Sequence, residues 1–361
     1  MSKKKLLIIN KSQFGYHSDT YYYCIHLKEE FEISYVCFDI NLKKIDAEGI
    51  NVIYLNNQGN YFKRGMRFIQ SIKQLLQSQN FDIVFGIYFQ GISLINTFCK
   101  APIVFDVRTG AIGTTKLKRK LYNTLLKFES YFFKNISIIS ICLAKNLNLN
   151  QKKTHILPLG ADSLSNNQKS FDKLKLLYVG TLHYRNIHES IIGIKTFLNI
   201  SGGLDISYDI FGSGSSSDEQ LLKAVISDNN LEDIVTFHGW KSHDELKYYF
   251  DSCNIGVSYI PINDYFDCQP PTKTYEYISS GMLCLATQTS ANKALINNIN
   301  GVLCNDSSHS FAQALTDIQT KRMTYSSSKI ANSMKEYSWI NIVQYNLLVY
   351  LENIIKTETC H

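Results

Sequence analysis

The sequence predicts an α/β protein made of two doubly wound domains, each built on a parallel sheet. The first observation is a series of short apolar runs that begins at Lys4–Ile9, with helical patterns between the runs. The second is a new series of the same kind that begins at Leu174–Gly180. Buried strands that alternate with helices form βαβ units, whose strands lie parallel in one sheet. Each series therefore predicts one Rossmann-like domain.

The domain boundaries follow from the chain length and from one polar stretch. A chain of 361 residues exceeds one ordinary core, so two domains are expected. We place them at residues 1–165 and 172–335, with the polar stretch Ser163–Ser170 at their junction. An apolar-striped helix at about 339–358 is expected to pack back on the first domain. Because ligands bind at the carboxyl ends of such strands, the two domains should face a central cleft.

Each element follows from its own local pattern, since strands read as short apolar runs and helices as apolar stripes. In the first domain the expected strands are Lys4–Ile9, Ile33–Phe38, Asn51–Tyr54, Asp82–Ile87, Pro102–Asp106, Ile136–Ile141 and Thr154–Leu157. The expected helices there are 18–30, 61–78, 91–98 and 116–134. In the second domain strands are expected at 174–180, 205–211, 234–238, 254–259, 283–287 and about 299–304, with a helix between each pair. Ser242 and Glu245 are spaced as a capping box at the start of one of these helices.

The composition is that of a globular protein from a reducing compartment. Nine cysteines are scattered along the chain without a Cys-x-x-Cys pair. This is neither a disulfide framework nor a zinc pattern, so a cytoplasmic location is expected. The N-terminal apolar run Leu6–Ile9 is too short for a signal peptide or a membrane span, and no other stretch reaches spanning length.

Positive charge is concentrated in the first half of the chain. Residues 1–165 carry 22 Lys and Arg against 11 Asp and Glu, whereas the remainder carries 15 against 20. A basic domain indicates an anionic partner, either a lipid surface or nucleic acid. Nucleic acid is disfavoured because the domain has no stacking platform or recognised binding motif. An AT-rich, lysine-rich bacterial genome is the alternative source of the bias.

The stretch Gln269–Gly281 predicts a short helix with both ends marked. Pro271 suits the first helical position, and the final glycine suits the left-handed residue just past the end. Free N–H groups from Thr272 to Thr274 make the helix N-terminus an anion site, and Lys273 adds a full positive charge. Glu276 lies one turn further on nearly the same face and can accept hydroxyl hydrogen bonds. These features describe a nucleotide-sugar clamp; the alternative is a capped surface helix with a solvated Lys–Glu pair.

Polar residues follow two strands of the first domain. Gly15 can bring the backbone close to a ligand, or it can serve only as a tight turn. His17 can contact substrate or only solvent, and Asp19 is expected to cap the next helix. Arg108 follows a strand end and can either bind an anion or pair with nearby Asp106.

The helix expected at 116–134 combines an apolar stripe with a basic start. The stripe is expected to pack on the core and consists of Leu117, Leu121, Leu125, Phe128 and Phe132. The first turns carry Lys116, Lys118, Arg119 and Lys120. A helix N-terminus disfavours positive charge, and adsorption to anionic lipid would explain these four cations.

Strand ends of the second domain carry a cation, glycines and an aromatic ring. Arg185 follows the first strand and could bind a phosphate oxygen bidentately. Gly212 and Gly239 follow the next two strands, where the backbone can approach a ligand. Trp240 is interpreted as core filling in preference to a base-stacking ring.

With these segments in this order, the second domain resembles the donor lobe of family 4 glycosyltransferases, which are retaining enzymes of the GT-B fold. The matching runs are Tyr178–Thr181, Phe211–Gly214, Val235–Trp240 with Asp244–Leu246, and Pro271–Tyr277 with Gly281. They span roughly residues 174–320, and the first half matches more loosely, through Gly15 and the βα order.

The resemblance implies a site for a sugar nucleotide. It implies that Glu276 holds the ribose hydroxyls and that Arg185 and Lys273 neutralise the diphosphate leaving group. The helix N-terminus near Thr272 would assist. No metal or other cofactor is implied, since cations and a helix end perform that task, and the sequence contains no Asp-x-Asp pair.

The sequence departs from the family pattern at three positions. Cys268, beside Asp267, occupies the position where the family often has a first glutamate, eight residues before the second. The usual Gly-Arg after the first strand is Gly-Thr here, which leaves Arg185 to supply the cation. Arg108 replaces a common histidine of the first domain. Retaining transfer needs no enzyme base if the leaving phosphate takes the acceptor proton.

The expected function is therefore a retaining glycosyltransferase that uses a nucleoside-diphosphate sugar and a glycan acceptor. We expect a lipid-linked acceptor in bacterial surface polysaccharide synthesis, and a location on the inner face of the cell membrane. A nucleotide-sugar epimerase of the same fold and a non-catalytic binding subunit that kept the nucleotide pocket are the alternatives.

Overall fold

A computed structural model describes most of the chain, namely residues 3–112, 115–201 and 205–359. The chain divides into two compact units. Unit 1 contains Met1–Leu159 together with Trp339–His361, and unit 2 contains Gly160–Ser338. Each unit has its own parallel sheet and its own core.

Residues 160–165 belong to unit 2, although their polar composition suggests a linker after the first domain. The Ala161 N–H donates to the Tyr337 carbonyl at 2.8 Å, and the Leu164 N–H donates to Ser280 Oγ at 2.9 Å. These backbone hydrogen bonds tie the segment to the second unit, and such pairing leaves no signal in composition.

Unit 1 is built on a seven-stranded sheet. Its strands are β1 (Lys4–Ile9), β2 (Phe31–Asp39), β3 (Ile50–Asn56), β4 (Ile83–Ile87), β5 (Ile103–Val107), β6 (Asn135–Ile138) and β7 (Thr154–Ile156). They are all parallel, in the order β3-β2-β1-β4-β5-β6-β7. The strand order reverses between β1 and β4, and such a switch point leaves a crevice at the carboxyl ends of the strands.

The helices of unit 1 that precede the tail are α1 (Ser18–Leu27), α2 (Tyr61–Ser78), α3 (Lys116–Ser130) and α4 (Ile141–Asn146). Several segments differ from the sequence prediction: α1 ends at Leu27 rather than at residue 30, α3 ends at Ser130 rather than at residue 134, and α4 was not among the expected helices. The segment expected as a helix at 91–98 is a 3₁₀ helix, Ile92–Thr97. Strand β6 ends three residues early because Ser140 caps α4, its side chain accepting the Leu143 N–H at 3.1 Å.

Unit 2 is built on a six-stranded sheet. Its strands are β8 (Leu174–Val179), β9 (Ile206–Phe211), β10 (Val235–Gly239), β11 (Ile255–Ser258), β12 (Leu283–Thr287) and β13 (Gly301–Cys304). They are also all parallel, in the order β10-β9-β8-β11-β12-β13, so the switch point lies between β8 and β11. The two sheets thus confirm the predicted doubly wound fold class.

The helices of unit 2 are α5 (His188–Ser201), α6 (Ser216–Asp228), α7 (His243–Ser252), α8 (Thr272–Ser279), α9 (Ser290–Leu295), α10 (Ser308–Lys321) and α11 (Ser327–Asn332). The capping box predicted before α7 is present. The Ser242 N–H donates to the Glu245 carboxylate at 2.9 Å, and the Ser242 hydroxyl donates to the same carboxylate at 2.8 Å.

The C-terminal tail consists of α12 (Trp339–Ile342), a π-helical turn (Val343–Leu347) and α13 (Leu348–Thr359). It packs within unit 1. The Trp339 ring stacks on the Tyr22 ring with centroids 4.9 Å apart, and the Gln344 side chain donates to the His26 carbonyl at 2.7 Å. Among the described residues, no helix is both long and apolar enough to cross a membrane.

Helix α3 does not bury the apolar stripe that its sequence presents. Leu117 is 78% exposed and Leu121 is 70% exposed, and Phe128 and Phe132 are exposed as well. The buried face carries Glu129 instead, whose carboxylate accepts two backbone N–H groups of the loop after β4 at 2.9 and 3.1 Å. The expectation of core packing was therefore wrong for these side chains, because the residues that α3 buries are Leu126, Glu129 and Ser130.

Candidate active site

Helix α8 is fixed at both ends. It begins at Thr272, one residue later than expected, because Pro271 is the extended N-cap residue. The C-terminal end is a Schellman motif, in which Gly281 has a φ of 74° and the Met282 N–H donates to the Tyr277 carbonyl at 3.0 Å. The predicted left-handed conformation of Gly281 is confirmed. With both ends of α8 defined, the position of its first turn is defined as well.

The first turn of α8 offers two free backbone donors. The Thr272 and Lys273 N–H groups have no hydrogen-bond partner in the described part of the chain. Thr274 is fully buried, its N–H donates to the Pro271 carbonyl at 3.0 Å, and its hydroxyl donates to Ser258 Oγ at 2.7 Å. The expected substrate contact of Thr274 is therefore corrected, because this residue anchors the helix start to β11.

The Lys273 ammonium lies on an aromatic ring. Its Nζ is 3.8 Å from the centroid of the Tyr178 ring and would lie 3.4 Å from a Cβ built on Gly180. The Tyr178 hydroxyl donates to the Thr181 carbonyl at 2.6 Å, which holds the ring in place. Burial, and then the nearby Arg185 charge, hold the pKa of Lys273 well below its usual value. This cation is positioned by a π-face rather than by a carboxylate.

The Glu276 carboxylate is half-buried and has no hydrogen-bond or ion-pair partner among the residues that the structure describes. Burial raises its pKa to about 7, and the Lys273 charge only partly opposes that effect. A carboxylate that is desolvated without hydrogen bonds is destabilised. A ligand that supplies hydroxyl donors would satisfy it.

Arg185 lies in the loop between β8 and α5, at the switch point of the sheet. Its guanidinium carbon is 4.0 Å from the centroid of the Phe266 ring, which belongs to the loop after β11. Tyr184 and Asn186 flank it in the left-handed conformation, with φ of 58° and 52°. Such backbone strain clusters at functional sites. Burial lowers the pKa of Arg185, and no carboxylate pairs with it in the described ranges.

Three glycines line the carboxyl edge beside Lys273. The Gly180 N–H donates to the Phe211 carbonyl at 3.0 Å, and the Gly212 N–H donates to the Gly239 carbonyl at 2.9 Å. All three have positive φ, namely Gly180 at 153°, Gly212 at 146° and Gly239 at 72°. A Cβ on Gly239 would meet nothing within 4 Å, so this end of the edge is open. A ligand can therefore approach the backbone along β8, β9 and β10.

Trp240 continues this edge beyond Gly239. Its side chain is 71% exposed, so the interpretation as core filling was wrong. The ring makes no aromatic contact in the described structure. An exposed Trp beside an open glycine edge can stack on a planar ligand. From the sequence, base stacking by Trp240 was considered and core filling was preferred. The signal for an exposed ring was its position directly after the end of β10.

In unit 1, Gly15 and His17 shape the loop between β1 and α1. Gly15 has a φ of 89°, and a Cβ there would come within 2.2 Å of Ile45, so the turn itself requires glycine. His17, rather than Asp19, is the N-cap of α1, with Nδ1 accepting the Thr20 N–H at 3.4 Å. Burial lowers the pKa of His17, so the imidazole is neutral near pH 7.

Arg108 is buried and forms an ion pair with Asp19. Its Nε donates to the Asp19 carboxylate at 2.5 Å, its Nη1 donates to the Leu157 carbonyl at 2.8 Å, and Asp106 is 3.8 Å away. Of the two predicted roles, substrate binding and an ion pair with Asp106, the structure favours the ion pair, but with Asp19 as the closer partner of a buried guanidinium. Burial raises the pKa of Asp106 to about 6, against the opposing Arg108 charge.

Together, the predicted residues Arg185, Lys273 and Glu276 form a cluster of two cations and one carboxylate, all within unit 2. The cations can neutralise phosphate oxygens, and the free N–H groups of Thr272 and Lys273 can add hydrogen bonds. The carboxylate can accept hydrogen bonds from hydroxyl groups. The arrangement suits a ligand that carries both phosphates and vicinal hydroxyls.

Known proteins of similar architecture cover nearly the whole chain. Sucrose-phosphate synthase from Thermosynechococcus elongatus is 14% identical, with a TM-score of 0.73, covering 99% of this chain and 98% of its own. A glycosyltransferase from Rickettsia africae is 13% identical, with a TM-score of 0.72, covering 99% and 100%. HepE from Anabaena, solved with UDP, is 12% identical, with a TM-score of 0.73, covering 97% and 100%. These likenesses show that the fold is GT-B.

The sequence of unit 2 narrows the class further. Residues 173–321 match the family described as glycosyl transferases group 1, a range that contains Arg185, Lys273 and Glu276. No curated protein matches the chain. The protein is a glycosyltransferase.

Proposed function

We propose that the protein is a retaining glycosyltransferase of family 4 that transfers a sugar from a nucleoside-diphosphate sugar to a glycan. The observation that carries the proposal is the cluster of Arg185, Lys273 and Glu276, three charged groups that form no direct ion pair or hydrogen bond within the described unit 2. Desolvated, unpaired charges destabilise a fold unless a ligand satisfies them.

In the proposed reaction, the anomeric C–O bond of the donor breaks, and the diphosphate leaves with the electron pair. Arg185, Lys273 and the free N–H groups at the start of α8 stabilise the charge that grows on the leaving phosphate. The acceptor hydroxyl oxygen forms the new bond to the anomeric carbon, and its proton passes to the departing phosphate. Glu276 accepts hydrogen bonds from the ribose hydroxyls and orients the donor. No metal is required, because two cations already occupy the place of a divalent ion.

The proposed donor lies along the glycine edge of unit 2. With the diphosphate at Lys273, the base would extend past Gly212 and Gly239 to stack on the exposed Trp240 ring. HepE has been solved with UDP and with UDP-glucose, and a trehalose-6-phosphate structure from E. coli holds UDP-2-fluoro glucose. UDP-sugars are therefore the first donors to test.

We further propose that the enzyme works peripherally on the inner, anionic face of the cell membrane, on a lipid-linked acceptor of surface polysaccharide synthesis. Helix α3 supports this, because exposed Leu117 and Leu121 alternate with exposed Lys116, Lys118 and Lys120. An exposed helix face that combines large apolar side chains with lysines binds an anionic bilayer surface.

A thermal-shift screen tests the donor site. UDP-, GDP-, CDP-, ADP- and dTDP-sugars are added separately, and the correct donor should raise the melting temperature, because it binds only the folded state. Glu276→Ala and Arg185→Ala should abolish both the shift and the transfer, while a Lys152→Ala control on the exposed surface of unit 1 retains both. Full transfer in either site variant would refute the assignment. A new sugar nucleotide formed from donor alone would indicate the epimerase instead.

A further inference from the structure

A second pair of cations lies in unit 1, at the switch point between β1 and β4. Lys11 follows β1, and its Nζ is 4.5 Å from the centroid of the Phe89 ring and 5.6 Å from that of the Tyr61 ring. The Tyr61 hydroxyl donates to Gln90 Oε1 at 2.9 Å, which fixes that ring. Arg64, in the first turn of α2, is close enough for its charge to act on Lys11. We call these two residues the Lys11–Arg64 pair.

No carboxylate forms an ion pair with Lys11 or Arg64 within the described ranges of the chain. The Arg64 Nη1 donates to the Asn57 side-chain oxygen at 3.0 Å, and its Nε is buried without a partner. Glu129 is the carboxylate whose charge reaches Lys11, but both of its oxygens already accept backbone N–H groups. Burial, followed by the Arg64 charge, lowers the pKa of Lys11. Two like charges are thus held near each other, with Glu129 as the nearby carboxylate but without a direct ion pair to it.

The pair repeats the arrangement of the donor site. In unit 2, Arg185 from the loop after β8 lies 4.0 Å from the ring of Phe266, which follows β11. In unit 1, Lys11 from the loop after β1 lies 4.5 Å from the ring of Phe89, which follows β4. In each sheet a cation therefore crosses the switch point to rest on a phenylalanine. This edge is where doubly wound sheets bind ligands.

We propose that the Lys11–Arg64 pair binds a phosphate group of the acceptor, so that the acceptor is a phosphorylated molecule. The inference rests on the proposed function: with the donor on unit 2, we assign the acceptor to unit 1. A phosphate carries up to two negative charges and three acceptor oxygens, which match one ammonium and one guanidinium fork. The phosphate belongs either to a lipid carrier or to a soluble sugar phosphate.

Isothermal titration calorimetry with two phosphate probes tests the proposal. Glucose 6-phosphate represents the soluble source, and farnesyl phosphate, compared with farnesol, represents the lipid source. The titrations use the full chain carrying Lys273→Gln, which weakens phosphate binding at the donor site. We expect one probe to bind, and Lys11→Gln or Arg64→Gln to weaken that binding at least about tenfold, since charge-assisted hydrogen bonds are lost.

Two further variants control the experiment. Lys11→Arg keeps the charge and should retain most of the affinity. Lys152→Gln removes one exposed charge from the segment before β7, an outer strand of the sheet that is not adjacent to β1 or β4, and should leave binding unchanged. The proposal is overturned if neither probe binds, or if Lys152→Gln weakens binding as much as Lys11→Gln does. Lys11→Gln in the otherwise wild-type chain should keep the thermal shift that nucleotide sugars produce. If the wild-type chain itself shows no such shift, the proposed function has failed. That outcome is distinct from failure of the phosphate site.

Discussion

Gly212 lies so close to Gly180 that a Cβ built on it would come within 1.8 Å of the Gly180 carbonyl oxygen. The contact joins the ends of β8 and β9 next to the Lys273 ammonium, which itself lies near Gly180. The backbone edge beside the cation therefore depends on two glycines that touch.

Replacing Gly212 by Ala should destabilise unit 2 and abolish the thermal shift by the donor. A φ of 146° alone costs a non-glycine residue about 1–3 kcal/mol, and the clash with a carbonyl oxygen adds to that cost. Urea unfolding measures the loss. Gly65→Ala is the matched control, because Gly65 lies within α2 with nothing near its Cβ, and Ala there should stabilise by about 0.5–1 kcal/mol. Equal stability of the two variants would contradict the close approach.

Glu276→Gln should stabilise the donor-free protein at pH 8 while abolishing transfer. The folded-state pKa of about 7 lies above the ordinary value of 4.5, so the folded state holds the proton more tightly than the unfolded chain does. The wild type therefore loses stability relative to the Gln variant as pH rises from 4.5 to 7, and the difference is constant above that. One pKa unit corresponds to about 1.4 kcal/mol, so the effect should exceed that figure. Melting temperatures of the wild type and the Gln variant are measured across this range. A difference between them that does not change with pH would contradict the prediction, because it would mean that Glu276 is ordinarily solvated.

Arg108→Met should lower the free energy of unfolding by about 3–5 kcal/mol, because it leaves the Asp19 and Asp106 carboxylates buried without their cation. Chemical denaturation measures the change. Glu32→Gln serves as the control, since Glu32 pairs with Lys5 at 3.7 Å on the surface and should cost less than about 1 kcal/mol. A loss of activity in Arg108→Met with unchanged stability would instead point to substrate binding by Arg108.

Trp240→Ala should weaken nucleotide binding by about 1–3 kcal/mol, the usual contribution of one stacked base. The chain has two tryptophans, and the other, Trp339, is buried in unit 1. In a Trp339→Phe variant, quenching of the remaining indole fluorescence by nucleoside alone reports directly on stacking. Quenching by pyrophosphate but not by nucleoside would place the base elsewhere.

The double substitution of Leu117 and Leu121 by Gln should reduce sedimentation with vesicles that contain phosphatidylglycerol and leave the unfolding free energy nearly unchanged. Both side chains are exposed in the folded protein, so the substitutions remove little buried apolar area. Leu126→Gln is the contrasting variant. Leu126 is fully buried on the same helix, so this substitution should destabilise the fold. Strong destabilisation by the Leu117 and Leu121 changes would restore the core-packing interpretation.

The sheets and the positions of Arg185, Lys273 and Glu276 could be predicted from the sequence because local patterns determine them. Apolar runs between helices predict parallel strands, and Pro271 and Gly281 bracket α8 to within one residue. Lys273 and Glu276 share a helix face by spacing alone. Arg185 was placed near them by the rule that strand ends meet at one edge.

Other features depended on contacts that spacing does not contain. The partner of Arg108 is Asp19, 89 residues away in the chain, and no local pattern indicates that pairing. The buried face of α3 includes Glu129, a carboxylate that a hydrophobic pattern assigns to solvent. The Phe266 ring beneath Arg185 and the Phe89 ring beneath Lys11 lie in loops without periodicity.

The rings beneath Arg185 and Lys273 have a kinetic consequence. Within the described part of the chain, no salt bridge must open before an incoming anion reaches either cation, because Phe266 and Tyr178 contact them from the side without neutralising their charge. Capture of the ligand therefore needs no preceding rearrangement of these side chains. Its association rate should be set by diffusion and by long-range attraction, and should fall steeply as added salt shortens the Debye length.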